Sequence, residues 1–153
     1  MIVERYTLDT NVLVYAVDPS EGEKHHVAAR VVDQSIELPC ILTVQALAEF
    51  VSVAARRRMK SRADAVAQAR DWLRVFPTVA ADARALEAAY TAVEEGRFAL
   101  FDALLLATAR DAGCTMALSE DMHDGAALDG IIVRNPFADG GLAADLRPLL
   151  GFA

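Results

Sequence analysis

An α/β fold, with helices covering a mainly parallel sheet of short strands, is what this chain predicts. Three observations carry that reading. Short apolar runs bounded by turn residues alternate with longer segments of helical period. Apolar residues make up 54% of the 153 positions and charged residues 24%, a globular balance with material for a sizeable core. No internal repeat, low-complexity segment or linker interrupts the pattern, so residues 1–153 are expected to form one domain.

Composition narrows the classes further. No apolar run reaches the ~18 residues of a membrane span. Glu4 and Arg5 precede the first apolar segment without a signal-peptide layout, so a cytoplasmic protein is expected. Cys40 and Cys114 both fall in apolar runs and read as reduced core thiols rather than a disulfide. A net charge of −7 argues against a general nucleic-acid coater. It leaves a nuclease open: two divalent cations held by site carboxylates would change −7 by +4, to −3.

Taken in order, Tyr6 to Leu8 is a short strand that ends on Asp9. Thr10 or Asn11 is placed to cap the helix that follows, whose stripe is Val12, Leu13, Tyr15 and Ala16. A turn from Asp18 to Gly22 leads to a helix over about Glu23 to Gln34, with Val27, Val31 and Val32 inward and His25 and His26 at the surface. Ile36 to Leu42 reads as a second strand, broken by Pro39. Thr43 caps a long helix to about Met59, with Leu47, Phe50, Val51 and Ala54 on its apolar face. Ser61 and Asp64 open another helix, to about Val75, with Val66, Ala69, Trp72 and Leu73 inward. These two helices are long for a single crossover and are expected to project as a helical pair. Phe76 to Val79 is a short extended link, and Asp82 to Glu95 is helical, with Leu86, Ala89, Tyr90 and Val93 as its stripe. Ile131 to Arg134 is a last strand, and the tail from about residue 137 is expected to hold one short helix around Leu142 to Leu150.

The most apolar stretch, Leu100 to Asp121, opens and closes on acids. Asp102 stands between Phe101 and the run Ala103-Leu104-Leu105-Leu106-Ala107, where an ionised carboxylate is costly without a partner. A helix is expected from about Asp102 to Ala112 with Gly113 as its stop, then a strand from Cys114 to Leu118 ending at Ser119-Glu120-Asp121. Asp9, Glu49, Asp102 and Asp121 thus stand out among 22 acids, each at a strand end, a helix start or among apolar neighbours. Separately, an Asp at a strand end is often only a helix cap, Glu49 fits an exposed helix edge, and Asp121 fits a turn. Taken together, carboxylates gathered at one place repel one another unless a cation sits among them. Mg²⁺ or Mn²⁺ accepts such oxygen ligands, and such sites hydrolyse phosphodiesters.

The segments LDTNVLVYA (Leu8 to Ala16), QALAEFV (Gln45 to Val51), FDALLLATARDAGC (Phe101 to Cys114) and LSEDMHDG (Leu118 to Gly125) resemble the PIN-domain ribonucleases, and within them the VapC-type toxins of toxin–antitoxin pairs. The resemblance covers nearly the whole chain in the family's order. It implies a PIN-like three-layer α/β/α sandwich and a Mg²⁺-dependent endoribonuclease, with Mn²⁺ as a substitute, leaving 5′-phosphate and 3′-hydroxyl ends. Asp9, Glu49, Asp102 and Asp121 fall on the family's four acidic positions. By the same resemblance Asn11 would support the first acid, Ser119 would hydrogen-bond near the metal, and Asp124 would be a fifth, outer acid. Phe101 stands where close relatives often carry Trp, a difference expected to affect packing only. An antitoxin partner, laying an amphipathic segment in an apolar groove, and a homodimer are also implied.

Arg56, Arg57, Arg58, Lys60 and Arg62 place five cations in seven residues. Arg56 is seven positions beyond Glu49, nearly on its helix face and roughly 10 Å away, a reach suited to gripping RNA beside a scissile phosphate. Cations at a helix C-terminus are also favoured by its dipole alone. Of these, Arg56, Arg57 and Lys60 are the candidate RNA contacts. His123 is read as a turn residue beside the acids. A response-regulator receiver would need a late Lys, and the only lysines are Lys24 and Lys60; a HAD-type phosphatase would need a second Asp where Asn11 stands. The alternative that survives from another class is a metal-holding module that docks RNA or protein without cleaving.

Overall fold

Strands buried on both faces need few residues and no alternation, and the three central strands of this chain are of that kind. The computed structural model describes residues 4–138 and 140–152. Strand β1 (Tyr6–Leu8) is buried throughout and leads into helices α1 (Thr10–Val17) and α2 (Glu23–Ser35). Strand β2 (Cys40–Thr43), also wholly buried, leads into α3 (Val44–Arg56) and α4 (Arg62–Val75). After the two-residue β3 (Thr78–Val79), helices α5 (Ala83–Glu94) and α6 (Leu100–Asp111) bring the chain back to β4 (Met116–Leu118). Then come β5 (Ala127–Leu128), β6 (Ile131–Arg134) and a separate hairpin of β7 (Phe137–Ala138) and β8 (Gly141–Leu142).

The sheet order is β3-β2-β1-β4-β6-β5, parallel except for the antiparallel β5–β6 edge. Tyr6 stands opposite Cys40 on one side and Met116 on the other. The chain therefore moves outward from β1 to β3, then returns past β1 and continues on its other side. Right-handed crossovers running in opposite directions put their helices on opposite faces. The packing agrees, with α1 against α2 and α3, and α5 against α6. The result is the expected three-layer α/β/α sandwich, and its topological switch lies between β1 and β4. The core between the layers includes Leu8, Leu13, Leu42, Phe50, Leu105, Leu106 and Leu118, all buried.

Several elements depart from expectation for local reasons. The second strand begins at Cys40, not Ile36, because Pro39 offers no N–H to a ladder; its carbonyl instead accepts from Tyr6 N at 3.0 Å. Helix α1 is capped by Asp9, whose side chain accepts from Thr10 N, rather than by Thr10 or Asn11. Helix α3 stops at Arg56 because Arg58 adopts φ 55°. Arg58 N then bonds Ala55 O and Met59 N bonds Ala54 O, the Schellman pattern with an arginine where glycine is usual. Helix α6 starts at Leu100 and ends as expected at Gly113, with φ 93° and the same pair of bonds, to Arg110 O and Ala109 O.

Two helices bury a different face from the one their apolar period predicts. Helix α4 buries only Ala65 and Trp72, the ring of Trp72 edge-on to Phe50 at 4.8 Å, and leaves Leu73 51% exposed. Packing mainly on α3, it needs a narrow seam rather than a broad face. Helix α5 meets α6 through Ala85, Ala89 and Ala92, small residues that allow close approach, and Tyr90 and Val93 stay exposed. The tail has a single 3₁₀ turn, Ala144–Leu146, where a longer helix was expected. It is tied back by Arg134, which donates to Asp145, and by Arg30 over the ring of Phe152.

Candidate active site

Four chain segments converge at the carboxyl ends of β1 and β4, the place where an open parallel sheet forms a crevice. Asp9 leaves β1 and is nearly buried, at 6% exposure. One of its oxygens, Oδ1, accepts from Thr10 N at 2.8 Å. The other accepts from Ser119 Oγ at 2.7 Å and Asn11 Nδ2 at 3.1 Å. Ser119, fully buried after β4, also accepts from Asn11 Nδ2 and from Asp121 N, at 3.1 and 3.2 Å. Asn11 Oδ1 in turn accepts from Glu120 N at 3.1 Å, so Asn11 and Ser119 stitch the ends of the two strands together around Asp9.

Glu49 projects from α3 with both oxygens engaged: Oε1 accepts from Gln45 Nε2 and Oε2 from Thr10 Oγ1, each at 3.0 Å. Asp102 sits in the first turn of α6, where the helix dipole favours an acid. Asp121 is exposed at the end of the Ser119 turn. These four acids line one open cleft of about 560 Å³ together with Thr10, Asn11, Val14, Tyr15, Val53 and Arg57.

The electrostatics follow from that gathering. Burial pushes the Asp9 carboxyl up to about 6. The hydrogen bonds from Ser119 and Thr10 oppose the rise, while Asp102 and Asp121 add to it. Asp102 is raised as well, first by burial and then by Asp121 and Glu49. Among the described residues, Arg57 is the only cation in the cleft wall, against four carboxylates. Among the described residues, no three acidic, histidine or cysteine side chains stand close enough to form a ready-made metal cage. The all-oxygen donor set and the raised carboxyls nevertheless suit a hard divalent cation, which would relieve the repulsion.

Other sequence candidates fall elsewhere. Asp124 is exposed, accepts from Asn135 N at 2.8 Å, pairs with Arg134 at 3.4 Å, and does not line the cleft. His123 is exposed in the same turn and is not part of the wall either. Of the three basic candidates, Arg57 lines the cleft, while Arg56 and Lys60 lie beyond it. The residue eight after Glu49, not seven, lines the cleft with the acids; Arg57 N still bonds Val53 O at 2.9 Å, so it continues the helical path one residue past Arg56. His25 is half-buried, its Nδ1 2.9 Å from Tyr15 O, and His26 is exposed.

Three polar residues of the site were not foreseen. Thr10, which the sequence offers only as a cap, directly follows Asp9 and donates to Glu49. Gln45 lies four residues before Glu49, the spacing that puts two side chains on one helix face, and that signal was available. Tyr15 fits the apolar stripe of its helix, yet its hydroxyl donates to Glu120 at 2.8 Å, beside Lys24 Nζ at 2.9 Å on the same oxygen. This holds Glu120 away from the four acids.

A doubly wound α/β protein with an acidic cleft at its switch point is the class that fold and site define. The PIN domain family model matches residues 6–123, and the chain belongs to the PIN-domain family. No curated protein sequence matches the chain. Among solved structures it is similar to Mycobacterium tuberculosis VapC20, a sarcin–ricin loop cleaving toxin, with 22% identity and a TM-score of 0.60, covering 78% of this chain and 90% of that one. It is also similar to a toxin–antitoxin complex from Klebsiella pneumoniae, at 21% identity and a TM-score of 0.60, over 86% of this chain and 98% of that one. VapBC2 from Rickettsia felis, bound to a DNA fragment from its promoter, gives 14% identity and a TM-score of 0.61, over 85% and 97%. At these identities the likeness is one of fold.

Proposed function

We propose that this protein is a metal-dependent endoribonuclease and the toxin of a toxin–antitoxin pair. One observation carries the reading: four carboxylates from four separated segments line a single cleft with unneutralised charge. Asp9, Glu49, Asp102 and Asp121 would hold Mg²⁺, or Mn²⁺ in its place, drawing together from their present spacing. A divalent ion bound there lowers the pKa of coordinated water and offsets charge on the leaving oxygen of a phosphodiester. Asn11 and Ser119 orient Asp9; Thr10 and Gln45 orient Glu49. Arg57, at the rim, is placed to pair with a backbone phosphate.

The basic bend supports RNA as the substrate. Among the described residues, Arg56, Arg57, Arg58, Lys60 and Arg62 make no ion pair, whereas Lys24, Arg74, Arg97, Arg110 and Arg134 do. Structural likeness to toxin–antitoxin complexes supports an antitoxin partner. Exposed Leu73, Tyr90 and Val93 give α4 and α5 apolar surface for a second copy, which supports the homodimer. Among the described residues no helix is long and apolar enough to cross a membrane, and the free, buried Cys40 and Cys114 suit a reducing cytoplasm.

The test is cleavage of a pool of structured RNAs with Mg²⁺ or Mn²⁺ and with chelator, beside Asp102→Asn. Metal-dependent cutting lost in the variant is the expected result. Cutting that survives in Asp102→Asn would remove Asp102 from the site. Mn²⁺ binding weakened by Asp102→Asn, without cutting of any RNA offered, would favour the docking module.

A further inference from the structure

Glu49 and Asp102 are 53 residues apart in sequence and lie on helices from opposite layers of the sandwich. Helix α3 packs on α1, α4 and β2, and α6 packs on α5 and the sheet. A single side chain joins the two layers at the acids. Gln45 Nε2 donates to Glu49 Oε1 at 3.0 Å and to the Phe101 carbonyl, in the first turn of α6, at 2.9 Å. Among the described residues this is the only hydrogen bond between α3 and α6. The cost is visible in the same side chain: Gln45 Oε1 is buried without a hydrogen-bond partner. Turning the amide over would aim that oxygen at a carboxylate and a carbonyl, both acceptors, so the observed orientation is the only one the neighbours permit.

Building on the reading of the cleft as a metal site, we propose that Gln45 is its positioning residue. The amide clamps the first turn of α6 to α3, and so sets the separation of Asp102 from a Glu49 whose other oxygen is already held by Thr10. Without the clamp, the turn carrying Asp102 is free to move relative to Glu49, and a bound cation must organise it anew. Groups that orient metal-binding carboxylates in this way are worth about 10–100-fold in affinity when removed.

The test uses Gln45→Met, which keeps the side chain's length and removes both donors. Backbone amide exchange at Ala103 and Leu104 is measured first in the metal-free protein, then Mn²⁺ affinity by calorimetry, in the wild-type and Glu49→Gln backgrounds. Expected are exchange about tenfold faster at these two amides and Mn²⁺ binding about tenfold weaker. The loss should largely vanish in Glu49→Gln, and the thermal midpoint should stay within about 3 °C. Unchanged exchange overturns the clamp, whatever the metal does. Faster exchange with unchanged affinity, or a loss that adds in full to that of Glu49→Gln, overturns the positioning role. If the wild-type protein binds no Mn²⁺ while exchange still quickens, the metal reading fails and takes that role with it, leaving only a tie between helices.

Discussion

The charge stored at Asp9 has a measurable consequence for stability. Its carboxyl stands at about 6 in the folded protein against 3.8 when unperturbed, because burial, and after it Asp102 and Asp121, disfavour the ionised form. A shift of about two pH units corresponds to about 3 kcal/mol. The sign follows from proton counting. Between about pH 4 and pH 6 the folded state holds a proton that the unfolded state has released, so stability falls as pH rises through that window and levels off above it. Other carboxylates titrate in the same range, so the experiment compares wild type with Asp9→Asn. The amide retains the cap to Thr10 N and cannot ionise; its altered contact with Asn11 and Ser119 adds an offset that does not depend on pH. In metal-free buffer the stability difference should move in the variant's favour by up to about 3 kcal/mol between pH 4 and pH 7. For a protein of this size that is roughly 6–12 °C in thermal midpoint. Mn²⁺ at a hundred times its dissociation constant should then return about 2.7 kcal/mol to the wild type at pH 7, and less to the variant. A difference between the two proteins that stays constant from pH 4 to pH 7 would refute the reasoning, since no unneutralised charge would then reside at Asp9.

Ser119→Ala should cost about 1–3 kcal/mol in urea denaturation, because the buried hydroxyl serves Asp9, Asn11 and the Asp121 amide at once. It should also move the pH dependence of Mn²⁺ binding upward, since the Ser119 bond is the larger of the two that hold the raised Asp9 carboxyl down; a profile left in place would deny that role. Arg57→Gln should weaken single-stranded RNA binding and reduce the slope of log affinity against log salt by about 0.7, the signature of one lost phosphate contact, and an unaltered slope would place Arg57 off the RNA path. Phe50→Ala removes a fully buried ring that stacks edge-on with Trp72, for an expected loss of about 3–5 kcal/mol at the α3–α4 seam. Arg58→Gly relieves a left-handed residue at the helix C-terminus and should stabilise the protein by about 1 kcal/mol at unchanged denaturant sensitivity.

Much of this protein was legible in the order of its residues. Continuous apolar triplets such as Met116-Ala117-Leu118 announce strands buried on both faces, and Gly113 announces the end of α6, because burial and left-handed backbone each admit few residue types. The acids Asp9, Glu49, Asp102 and Asp121 stood out for a related reason: a carboxylate among apolar neighbours is expensive, so its presence asks for a purpose. Helix faces were harder to read. Tyr90 and Leu73 fit an apolar period yet remain exposed, because the face a helix buries is chosen by its partner, and alanines on α5 and a single Trp72 seam on α4 met the partners better.

What sequence alone determined is therefore the α/β class, the order of its main helices and strands without β5 or the β7–β8 hairpin, and the four acids as candidates. Tertiary structure decided which polar side chains hold those acids in place. Thr10, Gln45 and the pairing of Asn11 with Ser119 across the ends of β1 and β4 act through bonds between segments 39 to 108 residues apart, or through the turn of a helix against its neighbour. Hydrogen-bond partners of that kind depend on distances of a few tenths of an ångström, and those exist only once the layers have packed and brought the ends of β1, α3, α6 and β4 to one edge of the sheet.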